Sequence, residues 1–189
     1  MIEGLIYIDD FLEENEQALL QEHLNRLSYY HDNFRGRQLK RGYAQFGFRY
    51  ASTGRKLEPA APFPIFLTDL IESARPFCFC DEPVNQCIVA RYPNGAGIGW
   101  HTDASSFGNC IAGISIGGAA KLQFRRNGAE RAEGELILRP GSLYSMRGPA
   151  RWDYQHRIAA VKSDRYSLTL RHVRCLVRGT PKTPAERTS

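Results

Sequence analysis

The second half of the chain carries eight short strand-like segments, and these limit the folds that it can adopt. Glycine, proline or asparagine residues, which favour turns, separate them. The predicted strands cover residues 87–92, 99–103, 111–116, 121–126, 135–138, 142–146, a short segment around His156, and 166–173. Eight short strands joined by turns predict two packed sheets, the double-stranded β-helix or jelly roll.

The first part of the chain predicts helices in front of these strands. A short strand is expected at residues 5–8, and a helix over 13–27, where leucines recur at helical spacing. A second helix is expected over 65–74, with Pro64 opening it and Pro76 ending it. The predicted fold class is mainly β with N-terminal helices. The predicted domains are a helical extension over 1–84, a jelly-roll core over 85–175, and a basic flexible tail over 176–189.

The segment Trp100-His101-Thr102-Asp103 holds the clearest chemical signal. Side chains two residues apart on a strand point to the same face, so His101 and Asp103 are expected to lie together. Two histidines and one carboxylate on one face of an octahedron hold Fe(II) and leave three positions open. The third ligand would come from elsewhere in the fold, and His156 is the candidate. Alone, His-x-Asp is a weak signal, because it arises by chance in many proteins and most commonly marks a polar turn or strand edge.

A second signal lies nine residues after His156. In the alternating segment from Arg165 to Arg171, the side chains of Arg165, Ser167, Thr169 and Arg171 share one face. A guanidinium binds a carboxylate through two hydrogen bonds, and an unpaired buried charge is costly. If this face is buried, an acidic small molecule is the natural partner, and 2-oxoglutarate with its two carboxylates fits.

These signals belong to a longer series of sequence pieces. The series comprises residues 85–95, the His101/Asp103 pair, residues 115–117, Phe124, residues 138–142, His156 and residues 165–171. In order and spacing the series resembles the AlkB-like Fe(II)/2-oxoglutarate-dependent dioxygenases.

The resemblance implies specific roles. It implies that Fe(II) is held by the catalytic residues His101, Asp103 and His156, and that O2 binds there too. It implies a cofactor-binding set for 2-oxoglutarate, with Arg165 and Tyr92 on the C5 carboxylate and Ser167 and Arg171 nearer the metal. It also implies that residues 29–56 form a nucleotide-recognition lid.

That lid segment interleaves basic and aromatic residues. Cations meet phosphates and flat rings stack on bases, which is typical of a surface for a single-stranded or flipped base. The candidate substrate-binding residues are Arg37, Arg41, Tyr43, Phe46 and Arg49. The alternative is a β-hairpin with its aromatic residues in the core and its basic residues facing solvent. The resemblance favours the lid.

Three positions depart from the family pattern. Ala90 and Ser167 stand where asparagine is usual, and residues 104–108 carry no acid where DNA-repair members have one. The lid and this segment look more like the tRNA-modifying branch. The hypotheses are therefore oxidative demethylation of alkylated bases in DNA or RNA, tRNA base hydroxylation, a dioxygenase acting on a protein or small molecule, or a binding protein without catalysis.

Composition adds modest constraints. The net charge of +5 and the pI near 9.0 favour a polyanionic partner such as nucleic acid. The chain start lacks signal-peptide features, and no apolar run reaches transmembrane length, so we expect a cytoplasmic monomer without membrane contact. Five cysteines without a CxxC pair predict buried free thiols, with Cys78, Cys80 and Cys87 as an alternative zinc or redox group.

Overall fold

The computed structural model describes residues 2–51, 56–78 and 82–174. In chain order the elements are β1 (Leu5–Ile8), α1 (Glu14–Asn25), β2 (Tyr30–Phe34), β3 (Arg37–Phe46), β4 (Phe48–Ala51), β5 (Lys56–Pro59), α2 (Ile65–Cys78), β6 (Gln86–Tyr92), β7 (Ile98–His101), β8 (Phe107–Gly117), β9 (Ala120–Arg126), β10 (Gly134–Leu138), β11 (Leu143–Met146), α3 (Gly148–Trp152), β12 (Tyr154–Ile158) and β13 (Arg165–Val173).

Two antiparallel sheets form the body of the fold. The larger has seven strands in the order β1-β11-β8-β13-β6-β3-β2, and the smaller has four in the order β10-β9-β12-β7, while β4 and β5 pair separately. The eight strands predicted after residue 85 correspond to β6 through β13, so the jelly roll is confirmed.

Strand alternation separates two hydrophobic clusters. On β13, Leu168 and Leu170 face the cluster that contains the buried leucines of α1 and α2. The opposite face of the large sheet meets the small sheet, where Phe124, Leu122 and Tyr144 pack together. Because successive strand side chains point to opposite faces, Arg165, Ser167 and Arg171 enter the space between the sheets.

The large sheet contains strands from both sides of residue 84, the predicted domain boundary. Strand β1 pairs with β11, and β3 pairs with β6 through the register Gly42↔Arg91 and Tyr43↔Ala90. Strand β2 then pairs with β3 to complete that edge. The segment before residue 84 therefore contributes three strands to the large sheet besides its two helices. Because β2 and β3 pair as antiparallel neighbours, the β-hairpin predicted as the alternative for the lid region is confirmed for its backbone.

Two predicted boundaries are wrong. The predicted strand 99–103 ends at His101, so Asp103 lies in the following loop. Helix α2 continues through Pro76 to Cys78. A proline removes one backbone donor, a small loss in the last turn, and α2 buries an apolar side whose last residue is Cys78.

The cysteines follow the simpler prediction where they are described. Cys78, Cys87 and Cys110 are free and buried. Cys78 is the last residue of α2, and no cysteine of the described ranges belongs to a metal-binding group. Cys80, Cys175 and the predicted tail over 176–189 lie outside the described residues. None of the helices in the described ranges is long and apolar enough to cross a membrane.

Candidate metal centre and active site

His101, Asp103 and His156 come together as predicted. Their potential ligand atoms all lie within 4.8 Å of one another. The two histidines are directly opposite in the pairing of β7 with β12, and their ring centroids are 4.3 Å apart. The carboxylate of Asp103 reaches the site from the loop after β7. Two imidazoles and one carboxylate form the donor set that suits Fe(II) with open positions.

The two buried metal-binding groups are in the protonation states that metal binding needs. Burial lowers the pKa of His156 to about 4, so its imidazole is neutral near pH 7. Burial acts to raise the pKa of Asp103, but Arg171 and the two histidines outweigh it and lower the pKa to about 2. The carboxylate is therefore ionised.

Neighbouring groups orient these ligands. The Nδ1 atom of His101 lies 2.8 Å from the carbonyl oxygen of Gly99, an arrangement that leaves Nε2 for a metal. Arg171 donates from Nη2 to Oδ1 of Asp103 at 2.9 Å, and Oδ2 of Asp103 lies 3.4 Å from Nε2 of His156. Arg171 thus positions the carboxylate.

Arg151, which the sequence did not single out, holds the loop that carries Asp103. Its guanidinium donates to the backbone carbonyls of Asp103 at 3.3 Å, Ala104 at 2.7 Å and Phe107 at 2.9 Å. The side chain comes from α3, is buried, and also lies over the ring of Trp152. Because β7 ends at His101, these bonds replace a strand ladder in fixing the loop.

We expect Arg151→Met to lower the affinity for Mn(II), a redox-stable substitute for Fe(II), by about tenfold. The methionine keeps an apolar chain of similar length but leaves three carbonyls without their donor. Titration calorimetry with Mn(II) measures the change, and Arg151→Lys should restore part of the affinity. Unchanged Mn(II) affinity in Arg151→Met would show that the loop holds Asp103 without this guanidinium.

Arg165 is a third buried arginine of the interior, besides Arg151 and Arg171. It is completely buried, donates from Nη2 to Ser115 Oγ at 2.8 Å and to Ser167 Oγ at 3.3 Å, and lies over the ring of Tyr92. Its Nε and Nη1 atoms have no hydrogen-bond partner within the described part of the chain. The same is true of Nε and Nη1 of Arg171. Arg171 already pairs with Asp103, whereas Arg165 has no carboxylate partner in the described structure, so an anion that reached these free donors would be favoured.

The interior therefore fits both Fe(II) and 2-oxoglutarate. The metal donors are suitable, and the unpaired donors of Arg165 and Arg171 match a dicarboxylate. Tyr144, which the sequence reasoning missed, is buried in the same interior, where burial raises its pKa and keeps the hydroxyl protonated. Alternation in the predicted strand 142–146 could have found it. Gly113 allows its position, since a Cβ there would lie 2.3 Å from the Tyr144 ring.

A cavity of about 790 Å³ opens beside the metal-binding residues. All three members of the triad line it, as do Tyr92, Ser167 and Arg171. Arg165 is not on its wall, but it is adjacent to Ser167 and Tyr92, which are. A second cavity of about 710 Å³ shares the wall residues Asp32, Tyr43 and Gln45 with the first.

The five predicted substrate-binding residues lie in different parts of the structure. Arg41 and Tyr43 line the metal cavity, and the Tyr43 hydroxyl donates to Asp32 at 2.7 Å. Phe46 instead packs against the core beneath the large sheet and lines only the second cavity.

The two remaining arginines lie outside the metal cavity. Arg49 also lines the second cavity and pairs with Glu58, and Arg37 is exposed at the start of β3. Asp32 was not predicted from the sequence, where it carries no pattern.

Comparison with known proteins agrees with this geometry. The model of the 2OG-Fe(II) oxygenase superfamily matches residues 4–177. The chain belongs to this superfamily, and membership implies Fe(II), 2-oxoglutarate and O2 as cofactor and co-substrates.

One curated relative and one solved structure carry the names of AlkB homologues. The chain is 28% identical over 163 residues to the "Alkylated DNA repair protein ALKBH8 homolog" of Arabidopsis thaliana, covering 68% of this chain and 46% of that protein. It is 29% identical over 122 residues to "Uncharacterized protein L905" of Acanthamoeba polyphaga mimivirus, covering 58% of each. The chain thus spans about half the length of these relatives. The solved structure of OsALKBH1 shares the fold, with a TM-score of 0.70 at 17% identity, covering 89% of this chain and 96% of that one.

Proposed function

We propose that this protein is an Fe(II)/2-oxoglutarate-dependent dioxygenase that acts on nucleic acid, with oxidative demethylation of an alkylated base as its reaction. When bound, iron, O2 and 2-oxoglutarate supply oxidation of a substrate C–H bond coupled to conversion of the oxo acid to succinate and CO2. The observation that carries the proposal is the His101-Asp103-His156 group, in which His156 is buried and the other two residues are half-buried, beside buried guanidiniums with free donors.

The chain's own residues divide the work of binding. The triad holds the iron, while Arg171 keeps the Asp103 carboxylate oriented. Arg165 binds the C5 carboxylate of 2-oxoglutarate through its unpaired Nε and Nη1, and the Tyr92 hydroxyl donates to the same group. Burial of these residues keeps water away and strengthens each charge-assisted bond.

The residues that line the metal cavity favour a nucleobase as the substrate group that enters it. Tyr43 offers a ring that its bond to Asp32 holds in place, and a base can stack on such a ring. Arg41 lines the same wall and can meet a phosphate, while Asp32 can accept a hydrogen bond from an amino group of the base. The second cavity adds room for a flanking nucleotide.

Hydroxylation of a tRNA base is the second candidate. It is favoured by the segment after Asp103, where Ala104, Ser105 and Ser106 line the cavity without an acid. Hydroxyl groups of this kind can donate as well as accept, so they are less selective for a cationic, alkylated base than a carboxylate would be.

The experiment compares succinate and formaldehyde production from methylated single-stranded DNA, methylated RNA and tRNA. Demethylation releases formaldehyde with succinate, whereas hydroxylation yields succinate alone. We expect Arg41→Gln and Tyr43→Ala to weaken substrate binding, the latter by about 1–3 kcal/mol if the ring stacks on a base. The matched control Arg37→Gln removes an equal charge from the same strand outside the cavity and should change binding less.

The proposal would be contradicted if 2-oxoglutarate were consumed at the same rate with and without every nucleic acid and none of them bound. That result would favour a protein or small molecule as substrate. Equal effects of Arg37→Gln and Arg41→Gln would show that charge alone, and not the cavity wall, attracts the substrate.

A further inference from the structure

The outer face of the four-stranded sheet carries an unusual group of side chains. The Cζ atoms of Arg125 and Arg157 lie 4.6 Å and 4.7 Å from the centroid of the Trp100 ring. We call Trp100, Arg125 and Arg157 the Trp100 platform. It has no part in the metal site or in the cavities described above.

The metal site itself fixes where the platform lies. His101 and His156 face the interior from directly opposite positions, so their sequence neighbours Trp100 and Arg157 must face outward. Arg125 lies opposite Gln155 on β12, and the Arg125 Nε donates to the Gln155 side-chain oxygen at 2.7 Å. The three side chains are thus anchored on neighbouring strands.

Glutamine side chains hold both guanidiniums in place. Arg157 is opposite Gln123, and its Nε donates to the Gln123 side-chain oxygen at 2.8 Å. In both arginines the Nε atom is used, and an amide supplies the acceptor without adding negative charge. The Nη1 atom of Arg125 also donates to the backbone carbonyl of Glu130 at 3.4 Å, which leaves Nη2 of Arg125 and the two terminal nitrogens of Arg157 for an anion. Each guanidinium is oriented by its amide partner and by the indole, so little conformational freedom remains to be lost on binding an anion.

The platform is also the part of this sheet where charge is left unbalanced. On β9, the strand that carries Arg125, Lys121 pairs with Glu135 and Arg126 pairs with Glu133. Within residues 2–51, 56–78 and 82–174, neither Arg125 nor Arg157 lies within ion-pair distance of a carboxylate. Two like charges share one indole without a counter-charge, which is unfavourable until an anion binds.

The strands that carry the platform also contribute residues to the metal cavity. Trp100 is followed at once by His101 and Thr102, and both line that cavity. Asn127, which directly follows β9 and comes two residues after Arg125, also lines the cavity. The three platform residues thus stand only one or two positions in sequence from residues that line the cavity, a separation that one polynucleotide strand can span.

We propose that the Trp100 platform binds a backbone phosphate of the nucleic-acid strand whose reacting base occupies the metal cavity. This inference rests on the proposed function and extends it, because it requires a polynucleotide rather than a free nucleotide. The planar guanidinium matches two oxygens of a phosphate, and the two arginines together supply the charge.

The test compares two double variants that remove the same net charge. Arg125→Gln with Arg157→Gln neutralises the platform. Arg75→Gln with Arg139→Gln neutralises two exposed arginines that already pair with Glu72 and Asp9. Binding and KM are measured with a methylated single-stranded oligonucleotide and with the corresponding methylated mononucleotide over a range of salt concentrations.

We expect the platform variant to bind the oligonucleotide about tenfold more weakly with kcat unchanged. Its plot of log affinity against log salt should become shallower by about 1 to 2. Mononucleotide binding and Mn(II) affinity should be unchanged, the latter showing that the sheet is intact. The control variant should resemble the wild type in every measurement.

Four results would overturn the inference. These are wild-type oligonucleotide binding by the platform variant, an equal loss in the control variant, an equal loss with the mononucleotide, and displacement of the oligonucleotide by polyglutamate as readily as by polythymidylate. The last would indicate an acidic protein as the partner. Failure of the wild type to bind any nucleic acid would overturn the proposed function as well, whereas the four results above leave that function standing.

Discussion

Asp103→Ala should lower the affinity for Mn(II) by at least about 100-fold, because it removes the anionic ligand and leaves two imidazoles. It should also destabilise the protein by about 3–5 kcal/mol, since Arg171 then keeps a buried charge without its carboxylate partner. Calorimetric titration measures the first effect, and urea unfolding without metal measures the second.

Asp103→Asn separates these two effects. The asparagine oxygen can still accept the Arg171 hydrogen bond, so the loss of stability should be smaller, while the loss of the ligand charge should still weaken metal binding. Asp153→Ala, at an exposed aspartate after α3, is the control and should change neither quantity. Tight Mn(II) binding by Asp103→Ala, His101→Ala and His156→Ala alike would contradict the assignment of the triad.

Strand alternation explains why much of the interior could be predicted from the sequence. The face shared by Arg165, Ser167 and Arg171 follows from their spacing alone, and β13 lies at the centre of the large sheet with its alternation intact. The pairing of His101 with His156 needed more, because no local pattern fixes which strand β7 meets. The sequence analysis named His156 as the third ligand and the family resemblance supported it, but neither predicted the strand pairing, which the register shows.

Contacts between distant loops could not be predicted in this way. Arg151 contacts carbonyls 44 to 48 residues away, and its neighbours in sequence give no periodic signal. The loop after β7 is similar: the sequence predicted an extended strand to Asp103, but β7 ends at His101 and the loop is fixed by Arg151. Such bonds depend on tertiary placement of α3, which spacing does not encode.

In the lid region, the sequence likewise could not predict which individual side chains face the metal cavity. Alternation on β3 is the same whether a face meets solvent, a core or a cavity. What separates Tyr43 from Phe46 is the register of β3 on β6: Tyr43 lies opposite Ala90, whose small side chain also lines the metal cavity, whereas Phe46 lies opposite the buried Cys87. Ala90, which departs from the family pattern, thus stands beside the ring that we propose stacks on the base.

Arg165→Leu should weaken the binding of 2-oxoglutarate to the Mn(II)-loaded protein by about 30-fold or more, because the C5 carboxylate loses a buried cationic partner. Mn(II) affinity should be unchanged, since the hydrogen bonds of Arg165 go to Ser115 and Ser167 and not to the triad. Arg165→Lys should be intermediate, because lysine supplies the charge without the two-pronged donor geometry.

Arg165→Leu is also expected to have an unusual effect on stability. Without co-substrate, Nε and Nη1 of the buried Arg165 have no partner in the described structure, so replacing the charge by leucine should leave the protein as stable as the wild type or more stable by about 1–4 kcal/mol. Adding 2-oxoglutarate with Mn(II) should then raise the melting temperature of the wild type and not that of Arg165→Leu. Wild-type affinity for 2-oxoglutarate in both Arg165 variants would contradict the assignment and place the C5 carboxylate on Arg171, which Arg171→Leu would then reveal.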